Sequence, residues 1–256
     1  MRLWDAKSYD RFEAERARPA NELVARIPKL PKRIVDLGCG SGLSTLALRQ
    51  AFPKAEILGV DLSPDMLKAA AKRLPTVKFR KGDAATFDAR GFDLVFANAV
   101  FHWVPDHLRV LAKLAASLPD GGALAVQMPD NRQEPSHALM RLIAADGPWA
   151  DRLVPIAKTR AVIAPYGDYY RWLKPLSAAL DIWQTAYIHP LEGIEAIVDW
   201  FRGSALRPFL APLSPPERQA FLERYRRDLS EAYEVESDGK VLFVYPRLFL
   251  LALKSG

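Results

Sequence analysis

Cysteine is nearly absent from the sequence, and its scarcity excludes several kinds of protein. Among 256 residues only Cys39 carries a thiol, so an internal disulfide framework cannot form. The four histidines are scattered and no cysteine pair exists, which leaves no spacing typical of a zinc site. We therefore expect a reducing, cytoplasmic setting and no bound metal.

Long hydrophobic runs are also missing. The apolar stretch 241–253 is broken by Pro246 and Arg247 and is shorter than the roughly 20 apolar residues that cross a bilayer. Segment 1–19 carries charges throughout, unlike a secretory signal. These features predict a soluble protein that has no membrane span and is not exported.

Positive charge is present in only moderate excess. The 36 Lys and Arg residues against 30 Asp and Glu give a formal charge of +6. This excess could attract nucleic acid, an anionic membrane surface or a small polyanionic substrate. Because the basic residues are spread along the chain, a non-enzymatic RNA-binding protein is the less favoured interpretation.

Short apolar runs alternate with helical patterns in the first half of the chain. The patterns predict strands at 33–37, 56–60, 77–80, 92–97 and 123–127, and helices at 43–51, 64–74 and 106–118. This alternation is typical of βαβ units, and it predicts an α/β fold around a parallel sheet.

The two ends of the chain are less regular. Pro19 is expected to separate two short helices within 9–26. Further helices are predicted at 137–145, 169–179, 191–202 and 215–233, and two strands at 181–188 and 241–253. We interpret the strands as sheet members, the helices as a lid, and the proline-rich stretch 206–216 as a joint.

The strongest local signal is Val-Asp-Leu-Gly-Cys-Gly-Ser-Gly at 35–42, an apolar strand followed by three glycines before a helix. Glycines permit a tight turn and let a ligand approach the backbone, while a helix N-terminus offers unpaired N–H groups. The Gly-x-Gly-x-Gly spacing is one residue shorter than the dinucleotide fingerprint, which disfavours a nicotinamide-dependent oxidoreductase. Cys39 is interpreted as a small residue that fills the turn.

Three further strand ends carry polar residues. Asp61 ends the next strand, where doubly wound folds hold a ribose through its hydroxyls. Asp83 follows Gly82 after the third strand, and Asn98 ends the fourth. Because parallel strands end at one edge of the sheet, we expect these side chains to face one crevice.

This ordered set resembles the class I S-adenosylmethionine-dependent methyltransferases over about half the chain. The resemblance implies a Rossmann-like sheet, mostly parallel with an antiparallel last strand, plus helical lid insertions. It implies S-adenosylmethionine as cofactor and S-adenosylhomocysteine as product. Gly38, Gly40 and Gly42 would frame the methionine and ribose portions, and Asp36 would either brace this loop or contact the ligand directly.

The same resemblance implies roles for residues at the other strand ends. Asp61 would take the ribose hydroxyls, and Leu62 would pack against the adenine. Asp83 would hydrogen-bond the adenine amino group with Ala84 beside it, and Asn98 would lie near the sulfonium. The chain would then form one methyltransferase domain, with a helical cap at 1–30, a cofactor-binding core at 31–133, and lid insertions with the final strands at 134–256.

A closer resemblance extends over nearly the full length. Segments 15–19, 98–107, 126–131, 181–185 and 243–249 are similar to those of the trans-aconitate methyltransferases, a narrower family within this class. The similarity implies methyl transfer to one carboxylate of trans-aconitate, which yields a monomethyl ester. Another small carboxylic acid or an acyl group remains an alternative acceptor, because the fold alone does not select one.

A carboxylate acceptor sets particular demands on its site. A carboxylic acid with a pKa near about 4 is already an anion at neutral pH, so no general base, and hence no catalytic side chain, is expected. The site should instead hold the acid with arginine forks and with His, Tyr or amide donors. Each candidate could also serve only packing, solvation or turns; the candidates are Arg16, Arg18, His102, Trp103, Gln127, Asn131, Tyr170 and Arg247.

Overall fold

A seven-stranded sheet organises the protein. The computed structural model describes residues 12–28, 30–158 and 163–255. Within these ranges the strands are β1 (Arg33–Leu37), β2 (Glu56–Asp61), β3 (Lys78–Lys81), β4 (Leu94–Asn98), β5 (Ala123–Pro129), β6 (Ser177–Leu191) and β7 (Val241–Lys254). Their order is β3-β2-β1-β4-β5-β7-β6. Strands β1 to β5 are parallel, and β7 lies antiparallel between β5 and β6. The predicted mostly parallel sheet with an antiparallel last strand is confirmed.

Helices cover both faces of this sheet and continue beyond its edge. They are α1 (Glu13–Ala25), α2 (Leu43–Ala51), α3 (Pro64–Arg73), α4 (His107–Ser117), α5 (Pro135–Ala145), α6 (Ala150–Ala157), α7 (Tyr166–Leu173), α8 (Gly193–Arg202), α9 (Arg207–Leu210) and α10 (Pro215–Ala232). Short 3₁₀ turns occupy Phe101–Trp103 and Lys174–Leu176. No helix in the described ranges is long and apolar enough to span a membrane.

The strands are apolar because both faces of the sheet are buried. In β1, Ile34 packs into the cluster beneath α1 and α2, whereas Val35 belongs to the cluster on the opposite face with Leu111 of α4. All seven residues of β5 are buried. Continuous apolar strands of this kind are expected where helices cover a parallel sheet.

A third apolar cluster lies under the late helices. Phe201 of α8, Phe221 and Tyr225 of α10 and Phe243 of β7 form part of it, and none is more than slightly exposed. Helix α10 begins with a capping box in which Ser214 and Glu217 bond reciprocally. These helices are thus a packed body joined to the sheet through β7.

The N-terminal helix corrects one prediction. Pro19 does not separate two helices, because it lies inside the continuous helix α1. A proline within a helix costs about 3 kcal/mol, but Pro19, Ala20 and Leu23 are all buried in this helix, and their burial offsets the loss. The part of the predicted segment before residue 12 lies outside the described residues.

One further prediction was wrong in the second half. The helix predicted at 169–179 ends at Leu173, because Pro175 cannot continue it and β6 begins at Ser177. The stretch 206–216, interpreted as a joint, contains the short helix α9. Helix α6 was not predicted, and its internal Pro155 masks the helical pattern.

Candidate active site

The glycine loop that follows β1 forms one wall of a cleft. Gly38 and Gly40 have φ values of +69° and +54°, a backbone region that side chains disfavour. A Cβ at Gly38 would lie 2.6 Å from Val100, whereas a Cβ at Gly40 would meet nothing within 4 Å. The loop therefore packs tightly against the chain after β4 at Gly38 and leaves open space beside bare backbone at Gly40.

Asp36 braces this loop from beneath. It is fully buried, and its Oδ2 accepts hydrogen bonds from Ser44 Oγ at 2.8 Å and Thr45 Oγ1 at 2.6 Å in the first turn of α2. Burial raises the pKa of Asp36 to about 7, despite the opposing effect of these two hydroxyls. Asp36 does not line the cleft, so of the two roles left open its contacts favour the brace.

Asp61 connects the ends of β1 and β2. Its Oδ2 accepts a hydrogen bond from the Gly40 amide at 2.9 Å, and its Oδ1 accepts one from the Ser63 amide at 2.8 Å. The side chain also lines the cleft. Both carboxylate oxygens retain further acceptor capacity, so Asp61 can receive hydroxyl donors from a ligand.

The cleft has a volume of about 340 Å³, within the range of small-molecule sites. We call it the cofactor cleft; its lining includes Gly38, Gly40, Asp61, Leu62, Asp83, Ala84, Asn98, Ala99 and Trp103. Most of the predicted cofactor residues are thus brought together. Gly42 is not in the lining, because it precedes α2 with φ +90° and packs against Ala70.

The polar and apolar groups that line the cleft show which kind of ligand it fits. Asn98 Oδ1 is buried and has no hydrogen-bond partner among the described residues. Leu62 is 55% exposed beside Asp83, whose Oδ1 accepts a hydrogen bond from the Ala85 amide. An apolar surface for a base, carboxylates for donors and an orphan acceptor at the far end suit S-adenosylmethionine.

A second cavity adjoins the cofactor cleft. We call it the polar pocket; it is lined by Arg16, Ala99, His102, Trp103, Pro129, His137, Trp200, Phe201, Ser204, Ala205, Tyr245 and Arg247. Ala99 and Trp103 line both cavities. Ala99 has φ +59°, a strained value for alanine, at the point where the two cavities meet.

Two buried arginines supply the charge of the polar pocket. Arg16, on α1, donates through Nη2 to the carbonyl of Trp200 at 2.9 Å and lies over its ring at 5.2 Å. Arg247, on β7, donates through Nη1 to Gln127 Oε1 at 3.3 Å and lies 4.4 Å from the centre of the Tyr245 ring. No Asp or Glu of the described chain lines this pocket.

The positive field of this region acts on a neighbouring histidine. His189 is buried, and burial first, then Arg247 and Arg18, lower the pKa of its imidazole to about 4. Arg18 itself does not line the pocket, because it lies over the Tyr187 ring at 4.9 Å. Arg247 and Arg18 therefore lie close enough to His189 to disfavour its charged form.

The other residues predicted to bind the methyl acceptor lie in different places. His102 and Trp103 line the polar pocket, and their rings lie 4.9 Å apart in the 3₁₀ turn after β4. Gln127 and Asn131 are buried but do not line the polar pocket. Gln127 contacts the pocket only through the hydrogen bond that it accepts from Arg247. Tyr170 is 52% exposed on α7 and lines neither cavity.

His137 is a lining residue that sequence reasoning missed. It is buried on α5 and its ring meets Phe201 edge-on at 4.7 Å. The available signal was its spacing, since His137, Met140 and Ala144 fall on the buried face of α5. A polar ring on such a face is a candidate for a cavity wall.

Burial also decides the role of Cys39. The side chain is 3% exposed, and burial raises the pKa of its thiol far above the ordinary value. A nucleophilic cysteine needs an accessible thiolate. Cys39 therefore fills the turn, as the sequence suggested.

Comparison with known proteins assigns the chain to a family. A protein-family model described as "Methyltransferase domain" matches residues 34–122. Trans-aconitate 2-methyltransferase of Methylobacterium nodulans is 50% identical over 257 residues, covering 100% of both chains. The enzyme of the same name from Rhodopseudomonas palustris strain BisB5 is 48% identical over 256 residues, covering 99% of this chain and 100% of the relative.

Solved structures agree on the fold. The YcgJ protein of Bacillus subtilis aligns with a TM-score of 0.58 at 15% identity, covering 93% of this chain and 99% of that one. Phosphoethanolamine N-methyltransferase 2 of Haemonchus contortus, in complex with S-adenosyl-L-methionine, aligns with a TM-score of 0.54 at 16% identity, covering 93% and 53%. These likenesses establish the class I methyltransferase fold alone. Together with the full-length identities, they show that the chain belongs to the trans-aconitate 2-methyltransferase family.

Proposed function

We propose that the protein transfers the methyl group of S-adenosylmethionine to a carboxylate of trans-aconitate, giving a monomethyl ester and S-adenosylhomocysteine. The observation that carries this proposal is the junction at Ala99 and Trp103, where a pocket with two buried arginines opens onto the cofactor cleft. Family membership supports the choice of acceptor.

The cofactor cleft would hold the nucleoside and the methionine portion in a fixed order. Asp61 would accept the ribose hydroxyls, Leu62 would cover the adenine, and Asp83 would accept from its amino group. Asn98 would lie near the sulfonium. When bound, the cofactor supplies an electrophilic methyl group.

The polar pocket would fix the acceptor. Guanidinium forks match carboxylates in geometry, and Arg16 from α1 and Arg247 from β7 both line the pocket. A carboxylate is already ionised at neutral pH, so the side chains need only orient an oxygen toward the junction and exclude water. No proton transfer by the protein is required.

The polar pocket also argues for a small acid. Its volume is about 70 Å³, which suits a compact polyanion better than a long acyl chain. The same pocket suits other small di- or tricarboxylates, so the acceptor must be identified by assay. The glycine spacing and the family together favour methyl transfer over nicotinamide chemistry.

Transfer of labelled methyl to a panel of acids tests the proposal. The panel contains trans-aconitate, cis-aconitate, isocitrate, citrate and a fatty acyl thioester. We expect a base-labile monomethyl ester to form preferentially on trans-aconitate. If S-adenosylhomocysteine binds but none of the acids accepts label, the acceptor assignment is wrong and the methyltransferase core remains.

A further inference from the structure

A second concavity, which we call the outer groove, adjoins the polar pocket. Trp103, His137 and Ala205 line both spaces. The outer groove adds two arginines, Arg132 from the loop between β5 and α5 and Arg141 from α5. Arginine side chains therefore line both the polar pocket and the adjoining groove.

The two outer arginines have no acidic partner among the described residues. Neither forms an ion pair with a carboxylate of the described chain; Arg141 donates only to the carbonyl of His137, at 3.1 Å. By contrast Arg152, on the neighbouring helix α6, is paired with Glu217. Both outer arginines are half-buried, so they are not simply solvated surface charges.

The positive charges of the two outer arginines also repel each other. Burial, and then the charge of Arg132, lower the pKa of the Arg141 guanidinium. Such an arrangement costs free energy in the ligand-free protein, and an anion placed between the two cations would relieve it. The apolar side chains of Met140 and Phe209 line the same groove and reduce the screening of an ion pair by water.

We propose that Arg132 and Arg141 form a subsite for a distal carboxylate of the acceptor, so that the enzyme selects tricarboxylates over dicarboxylates. This inference rests on the proposed function. One carboxylate lies at the methyl group, a second is held by Arg16 and Arg247, and the third reaches the outer groove. The groove has a volume of about 40 Å³, room for one small group.

Binding measurements separate this subsite from general electrostatics. Titration calorimetry in the presence of S-adenosylhomocysteine compares trans-aconitate with mesaconate, glutaconate and itaconate, dicarboxylates that each lack a different one of its three carboxylates. The variants are Arg132→Gln and Arg141→Gln. The control Arg227→Gln removes the same charge from an exposed site on α10 that lines neither the cofactor cleft, the polar pocket nor the outer groove.

Each outer-groove variant is expected to weaken trans-aconitate binding by about 10- to 100-fold, the effect of losing one hydrogen-bonded charge. At least one dicarboxylate should bind the variants as it binds the wild type, and S-adenosylhomocysteine affinity should not change. An equal loss for Arg227→Gln, an equal loss for all three dicarboxylates, or unchanged trans-aconitate binding would overturn the subsite.

The two proposals fail in different ways. If the wild type binds trans-aconitate with the expected dependence on Arg132 and Arg141 but transfers no methyl group, the proposed function is wrong and the subsite stands. If it forms the ester and the variants bind normally, the subsite alone is wrong. Absence of any trans-aconitate binding would refute both.

Discussion

Arg247 offers the sharpest test of how the acceptor is held. Replacement by methionine keeps much of the volume and removes the charge. The side chain is 5% exposed, and loss of one partner of a buried charge pair costs about 2 to 5 kcal/mol. Since about 1.4 kcal/mol corresponds to tenfold, kcat/KM for trans-aconitate should fall by about 30- to 4,000-fold.

The structural cost of the same substitution should be smaller. Arg247 loses a 3.3 Å hydrogen bond to Gln127 and its position over the Tyr245 ring. A hydrogen bond contributes about 1 kcal/mol net and a cation–π contact about 0.5 to 2 kcal/mol. We therefore expect a folded protein with a modestly lowered Tm and unchanged affinity for S-adenosylhomocysteine.

A matched substitution separates these effects. Arg33→Met removes another arginine from an aromatic face, since Arg33 lies 5.3 Å from the centre of the Phe92 ring, but this residue lines neither the cofactor cleft nor the polar pocket. Steady-state kinetics and calorimetry should show loss of acceptor binding only for Arg247→Met. Equal losses in both variants, or a parallel loss of S-adenosylhomocysteine affinity, would refute the assignment of Arg247 to the acceptor.

Three further substitutions test the elements that support the site. Gly38→Ala should weaken S-adenosylhomocysteine binding by calorimetry, because its Cβ would clash with Val100; normal affinity would contradict the tight packing. Burial raises the pKa of Asp36 to about 7 in the folded protein. Stability measured by thermal melts should therefore fall as the pH rises from about 4 to 7, and it should fall less steeply in Asp36→Asn. Parallel profiles for the two proteins would contradict the raised pKa of Asp36. Glu22→Gln should raise KM for the acid while leaving cofactor affinity unchanged, because Glu22 ties the helix that carries Arg16 to β6; an unchanged KM would exclude this positioning role.

The cofactor half of the site was predictable because its signals are local. The observed bounds of β1 and α2 coincide with those predicted at 33–37 and 43–51. The glycine loop between them marks the end of β1 and the start of α2. In a parallel sheet the ends of successive strands meet at one edge, so Asp61, Asp83 and Asn98 could be grouped without knowing the structure.

The acceptor half was less predictable because its residues come from distant parts of the chain. Arg16 reaches the polar pocket only because α1 packs across the sheet, where Glu22 accepts hydrogen bonds from Trp183 and Thr185 of β6. Tyr170 had the right chemistry, but its helix turns it toward solvent. Sequence spacing identifies side chains that could bind a carboxylate, and tertiary packing decides which of them face the cavity.

The antiparallel last strand explains how a late residue reaches an early site. In β7 the residue Arg247 pairs with Pro129, the last residue of β5. Gln127, which also lies in β5, pairs with Asn98 at the end of β4. Because β7 runs against β5, its first half lies at the edge where the parallel strands end, and a parallel strand would place that half at the opposite edge. The reversed strand therefore brings the Arg247 cation to the polar pocket, and the same topology attaches the helices that close this pocket.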